Sequence, residues 1–213
     1  MTDSAIISAA HLRARLTGTS LPTDPTDVVM PPGSELWPSS MREQLSASLT
    51  PAGVLVPFIE RGAEGLSILF TQRSAELKHH AGQVSFPGGR MDPGDADIAA
   101  TALRETYEEV GIARDNIEII GYLEPMPTVT GYAVTPVVAL VDGSIELKID
   151  KTEVEYAFEV PLQFLLDRNN QKMVEREIHG SKVPMVEFHY DGQRIWGSTA
   201  FIVFKLIEII RDQ

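Results

Sequence analysis

The chain has 213 residues, 43% of them hydrophobic, enough for one domain with a full core plus an extension. Its 18 Lys and Arg against 30 Asp and Glu give a net charge of −12, which repels phosphate backbones and argues against a nucleic-acid binder. With no cysteine there is neither a disulfide framework nor a thiolate metal site, a composition that fits a reducing compartment.

The N-terminal run Ala5 to Ala10 is short and follows Asp3 instead of basic residues, so a secretory signal is not expected and a cytoplasmic location is. Residues 1–50 carry Pro22, Pro25, Pro31, Pro32 and Pro38, which interrupt regular structure, and are predicted to form an arm with short helices. Residues 51–213 are predicted to be the folded domain. Within it, Val54 to Ile59 and Leu66 to Thr71 flank a turn-like Arg61-Gly62-Ala63-Glu64-Gly65 and predict a β-hairpin.

Further strands are predicted at Val84 to Phe86, Ile117 to Leu123, Val134 to Val141, Val183 to Tyr190 and Arg194 to Trp196, and Met126 to Tyr132 is predicted to be a substrate-facing loop. Ala96 to Val110 predicts a helix whose apolar stripe is Ile98, Ala102, Leu103 and Tyr107, stopped by Gly111. Ser198 to Arg211 is apolar almost all round and predicts a mostly buried helix capped by Ser198 or Thr199. Strands mixed with a few helices give an α/β or α+β fold. The apolar stretches are far shorter than the roughly 20 residues that span a bilayer, so no membrane partner is expected.

The chemistry concentrates where Phe86-Pro87-Gly88-Gly89-Arg90-Met91-Asp92-Pro93-Gly94-Asp95 runs into a helix bearing Arg104-Glu105-Thr106-Tyr107-Glu108-Glu109-Val110-Gly111. Glu105, Glu108 and Glu109 stand at i, i+3 and i+4, so their carboxylates project from one face and repel one another without a cation. Hard divalent ions suit such a face; Mg²⁺ takes one or two carboxylates together with substrate phosphate. The glycines let backbone N–H groups approach phosphate oxygens.

These residues resemble the Nudix box of the Nudix hydrolases, with Gly89, Arg104-Glu105, Glu108-Glu109 and Gly111 at matching places. Asp95 stands where that box has glutamate, one extra residue separates it from Arg104, and Thr106 replaces an aliphatic residue. The Asp-Pro-Gly-Asp variant, Leu69 to Ser74 and Gly82 to Gly89 are similar to the coenzyme A pyrophosphatase subgroup, as are Glu153-Val154, Val160-Pro161-Leu162 and Ile195 to Ala200. Lys78 stands where that subgroup carries a second arginine.

The resemblance implies a Nudix fold, a mixed β-sheet sandwiched between helices, and metal-dependent hydrolysis of a small-molecule diphosphate with Mg²⁺ or Mn²⁺. It implies Glu105 and Glu109 as metal ligands, Glu108 as a further ligand or water-orienting group, Arg104 as the residue that positions the box, and Glu153 as candidate base. Arg73, Lys78, Gly88, Gly89 and Arg90 are the expected substrate contacts. Coenzyme A is the leading substrate; another nucleoside diphosphate derivative, such as NADH, ADP-ribose or a nucleoside triphosphate, is the alternative, and a non-catalytic binding module is a third. A homodimer is expected by the same likeness. His79-His80 is read as an exposed pair, and Trp196 and Phe201 as core aromatics.

Overall fold

The computed structural model describes residues 7–31, 34–62, 65–77, 80–178 and 181–211. Lys78 and His79, named above, lie outside the described residues. The central mixed sheet runs in the order β3 (Val84–Ser85), β2 (Leu66–Arg73), β1 (Thr50–Glu60), β7 (Tyr132–Val141), β5 (Ile117–Tyr122). β4 (Gly88–Arg90) adds to β1, β6 (Met126–Pro127) to β7 and β8 (Val154–Pro161) to β2. A smaller sheet joins β9 (Lys172–Ile178), β10 (Ser181–Tyr190) and β11 (Gln193–Ile195).

β1 and β7 are parallel and nearly continuous in buried residues, as strands covered on both faces must be. On one face Leu55, Val137 and Ala139 meet Ala99, Ala102 and Leu103 of helix α3 (Ile98–Val110). On the other, Val56, Phe58, Phe70 and Val138 meet Val203, Leu206, Ile207 and Ile210 of the C-terminal helix. This is the sheet between helices that the sequence predicts. The β1–β2 hairpin is present, with Phe58 opposite Ile68 and Glu60 opposite Leu66.

Three expectations need correction. Tyr107 is not on the apolar stripe of α3 but 61% exposed; Thr106 turns inward instead, its hydroxyl donating to the Ala102 carbonyl at 2.6 Å, so a polar residue fits an aliphatic position. The last helix, Gly197–Arg211, starts one residue early, and the Thr199 hydroxyl donates across to the Val84 carbonyl at 3.1 Å instead of capping it. Met126 to Tyr132 is not all loop, since Met126 and Pro127 pair with Val134 and Ala133. α3 itself starts at Ile98 because the Asp97 carboxylate accepts from the Ala100 amide at 2.8 Å, and ends where Gly111 takes a left-handed φ of 74°.

The N-terminal arm carries helices α1 (Ala9–Leu16) and α2 (Ser39–Leu45), and the helices at Leu162–Leu166 and Gly197–Arg211 are α4 and α5. α1 is part of the main core: Leu12 and Leu16 are buried in the cluster with α5. Its Arg15 Nε donates to the Ile209 carbonyl at 2.7 Å and the His11 ring hydrogen-bonds the Ile210 carbonyl at 3.0 Å, satisfying carbonyls that α5 leaves open at its C-terminal end. Leu12→Ala should therefore cost about 2–5 kcal/mol in thermal or urea unfolding, the range for a fully buried leucine. An unchanged midpoint would contradict the docking of α1.

Candidate active site

β1, β4 and α3 meet at close range, and this sets the site. β4 pairs with β1, Gly88 opposite Val54 and Gly89 opposite Gly53. A Cβ on Gly89 would lie 2.4–2.6 Å from the Glu105 carboxyl atoms, and one on Gly88 would lie 2.4 Å from the Gly53 carbonyl oxygen. The glycines expected to cradle phosphate are thus required first for packing: they let a strand pass directly over the carboxylates of α3.

Arg104 ties the box together. Its Nε and Nη2 each reach the Asp95 carboxylate at 3.0 Å in a two-point contact, and its Nη1 reaches Glu105 and Glu108 at 2.9 Å each. Nη2 also donates to the Arg90 carbonyl at 3.2 Å. Asp95 in turn accepts from the Asp92 amide and the Thr101 hydroxyl at 2.9 Å each. Arg104 beside it, with these donors, holds the Asp95 carboxyl down to about 2. A shorter acid in a loop with one more residue therefore still reaches the arginine. Arg90 itself is exposed, 3.6 Å from Asp92.

Glu105, Glu109 and Glu153 come together, each offering an oxygen within 4.8 Å of the others. Glu108, expected to share this face, is exposed and spends its contact on Arg104. Glu153 arrives through the backbone: the Asp150 amide donates to the Glu109 carbonyl at 3.0 Å, the Lys148 amide to Val110 at 2.9 Å, and the Ser74 amide to Glu153 at 2.8 Å. The loop before β8 is thereby fastened to the end of α3 and to the end of β2.

Glu109 is 2% exposed, and its Oε2 is buried with no hydrogen-bond partner among the described residues. Arg73 lies alongside, Nη1 3.9 Å from Glu109 Oε1, with a buried Nε that also has no partner among the described residues. Burial pushes the Glu109 carboxyl up to about 8; Arg73 and the Gly88 amide oppose the shift, and Glu105 and Glu153 add to it. Glu105 is likewise raised by burial, against the pull of Arg104. Two acids held above their ordinary range beside a third carboxylate form a donor set for a hard cation. Mg²⁺ binds oxygens at about 2.1 Å, so its ligand oxygens lie no more than about 4.2 Å apart, and small side-chain rotations close the present spacing.

Other named residues stand near but outside this cluster. His80 Nδ1 meets Gln83 Oε1 at 2.9 Å. Phe201 is half-buried and packs against the main core, as expected, while Trp196 is half-buried beside it; Arg194 stands 5.1 Å from the Trp196 ring centroid and Lys205 5.9 Å from that of Phe201. Sequence reasoning missed the anchoring job of Asp95; its spacing to Arg104 was visible, the two-point contact was not.

Between its ordinary value of 4.5 and about 8, folded Glu109 keeps a proton that the unfolded chain has released, so stability falls as pH rises through that window. The Tm of the chelator-treated chain should drop from about pH 5 to about pH 8, and Mg²⁺ or Mn²⁺ should raise it more at the higher pH, where the carboxylates need compensation. An equal shift at both pH values would place the ion elsewhere.

The family model of the NUDIX domain matches residues 49–190, more than half of the chain. A relative named uncharacterized Nudix hydrolase NudL from Citrobacter koseri is 41% identical over 155 residues, 73% of this chain and 80% of that one. One of the same name from Photorhabdus laumondii is 38% identical over 169 residues, 79% of this chain and 89% of that one. Solved structures that match include an Ap4A hydrolase binary complex from C. elegans, 22% identical with a TM-score of 0.44, covering 53% of this chain and 80% of that chain. Another is the NUDIX domain of Shewanella oneidensis NrtR complexed with ADP ribose, 22% identical with a TM-score of 0.43, covering 55% and 76%. No helix among the described residues is long and apolar enough to cross a membrane. By the extent of the family match and the identity of these relatives, the chain belongs to the Nudix hydrolase family, enzymes that act on nucleoside diphosphate derivatives.

Proposed function

We propose that the chain hydrolyses the diphosphate of coenzyme A or an acyl derivative to 3′,5′-ADP and 4′-phosphopantetheine or its acyl form, in the cytoplasm, with Mg²⁺ or Mn²⁺ held by Glu105, Glu109 and Glu153. The observation that carries the metal-dependent part is the buried Glu109 carboxylate, grouped with two further carboxylates and holding an oxygen that has no partner among the described residues. The coenzyme A part rests on the upstream residues Leu69 to Ser74 and Gly82 to Gly89, which resemble that subgroup.

When bound, the cation offsets charge on the diphosphate oxygens and acidifies the attacking water. The chain supplies positions. Arg104, fixed by Asp95, holds Glu105 and Glu108 in place. Arg73 presents a guanidinium beside the cluster, and the part of its side chain that stays exposed is suited to a phosphate oxygen of the substrate. Glu153 is the exposed member of the triad, so it is the carboxylate that water reaches; one of its oxygens would serve the cation and the other is assigned the proton of the attacking water. Gly88 and Gly89 keep the approach to α3 free of side chains. Positioning and charge stabilisation of this kind account for most catalysis of phosphoryl transfer.

Lys78 favours a second reading, hydrolysis of another nucleoside diphosphate derivative, because an ammonium lacks the planar fork that grips phosphate at two points. A panel of coenzyme A, NADH, ADP-ribose and nucleoside triphosphates with Mg²⁺ or Mn²⁺ separates the two: coenzyme A should give the highest kcat/KM, and a clear preference for NADH or ADP-ribose would replace it. Glu109→Gln should lower kcat by about 10³-fold or more, the loss expected when several kcal/mol of charge stabilisation go. Glu153→Gln should lower it by about 10²- to 10⁴-fold, as for removal of a general base. Glu108→Gln, whose carboxylate lies outside the triad, should cost less than either. Equal losses at all three positions would contradict this division of roles.

A further inference from the structure

The three-stranded sheet holds a second charged cluster. Glu187 on β10 is 3% exposed, yet it is a carboxylate on which three cationic or ionisable side chains converge. Arg176 Nη2 reaches its Oε1 at 2.7 Å, Arg194 reaches its two oxygens at 3.0 Å and 2.5 Å, and His189 Nε2 lies 3.2 Å away. Two guanidiniums on one carboxylate leave at least one positive charge in excess, in a chain whose net charge is −12. Among the described residues neither arginine meets a second carboxylate, and each keeps more than a third of its side-chain surface exposed.

Strand register turns this charge outward. His189 pairs with Arg194 across β10 and β11, while Phe188 and Ile195 beside them point the other way into the core. Trp196 continues the outward face and carries the Arg194 guanidinium over its ring. The sheet that carries the cluster meets the catalytic edge through β11, which packs against β3 just ahead of Gly88. The opposite face of β11 and the start of α5 fasten it there: the Tyr156 hydroxyl, three residues after Glu153, donates to Gln193 Oε1 at 3.1 Å, and the Thr199 hydroxyl donates to the Val84 carbonyl at 3.1 Å.

We propose that Arg176 and Arg194, oriented by buried Glu187 and backed by Trp196, form a second anion site that takes a phosphate monoester of the substrate outside the diphosphate that is cleaved. A buried carboxylate that consumes part of each fork fixes both arginines in place and leaves their remaining N–H groups directed at solvent, which suits a dianionic phosphate better than mobile lysines would. The proposal rests on the coenzyme A reading, whose product 3′,5′-ADP carries such a monoester on the ribose.

Calorimetric titration of the full chain with 3′,5′-ADP and with AMP, which lacks the 3′-phosphate, tests the site without turnover. The wild type should bind 3′,5′-ADP about tenfold tighter than AMP, as for one charge-assisted pair, and Arg194→Ala or Arg176→Ala should abolish that ratio while Arg194→Lys keeps part of it. In kinetics, Arg194→Ala should raise KM for coenzyme A and leave kcat and the KM for 3′-dephospho-coenzyme A unchanged. A wild type without preference for 3′,5′-ADP, or variants that weaken both ligands equally, would overturn the site. Failure to cleave coenzyme A with the binding ratio intact would instead overturn only the assigned substrate.

Discussion

Burial pushes the Glu109 carboxyl up to about 8, so at neutral pH it keeps most of its proton unless a further cation compensates it. Among the described residues its Oε2 has no partner, its neighbours Glu105 and Glu153 oppose its ionisation, and the Arg73 guanidinium stands 3.9 Å off. Taken alone this is a destabilising arrangement, since isolated buried charge is among the costlier features a fold can hold. Under the proposed function a divalent ion and a phosphate-bearing ligand would supply the missing compensation, so the fold would keep at this point a defect that its ligands correct. Strained or uncompensated groups of this kind gather at functional sites.

The rest of the molecule maintains that arrangement. Gly88 and Gly89 allow β4 to cross over α3, closing the site without displacing the Glu105 carboxyl. Arg104 divides its five donors among Asp95, Glu105, Glu108 and the Arg90 carbonyl, so the loop and the helix cannot drift apart. The two apolar layers on either face of β1 and β7 hold α3 and α5 in place, and α1 closes the α5 layer from the far side. Stability and function are here opposed locally and reconciled by packing elsewhere.

What could be read in the sequence was what depends on local spacing. Glu105 and Glu109 share a helix face because they are four residues apart, and the β1–β2 hairpin, α3 and α5 follow from runs of apolar residues around turn-formers. What escaped depends on partners distant in the chain. Glu153 was singled out only through the family likeness; its place beside Glu109 is set by backbone bonds from residues 148–153 to α3 and β2. Val154 to Pro161 is a strand absent from those predicted: Tyr156, Phe158 and Val160 alternate onto one face, and a bulge opposite Gln72 and Arg73 turns Val154 to the other. Lys172 to Ile178 alternates poorly and is a strand because β10 pairs with it. Tyr107 and Thr106 exchanged their expected places because a hydroxyl can satisfy itself on the preceding turn, a detail hydropathy does not register.

The most direct test is the position of the ion. Anomalous diffraction from crystals grown with Mn²⁺ should give a peak between the carboxylates of Glu105, Glu109 and Glu153, with Glu109 Oε2 in the coordination sphere and Glu108 still on Arg104. A peak on Glu108 that leaves Glu109 Oε2 unpartnered, or no peak at the triad, would contradict the account.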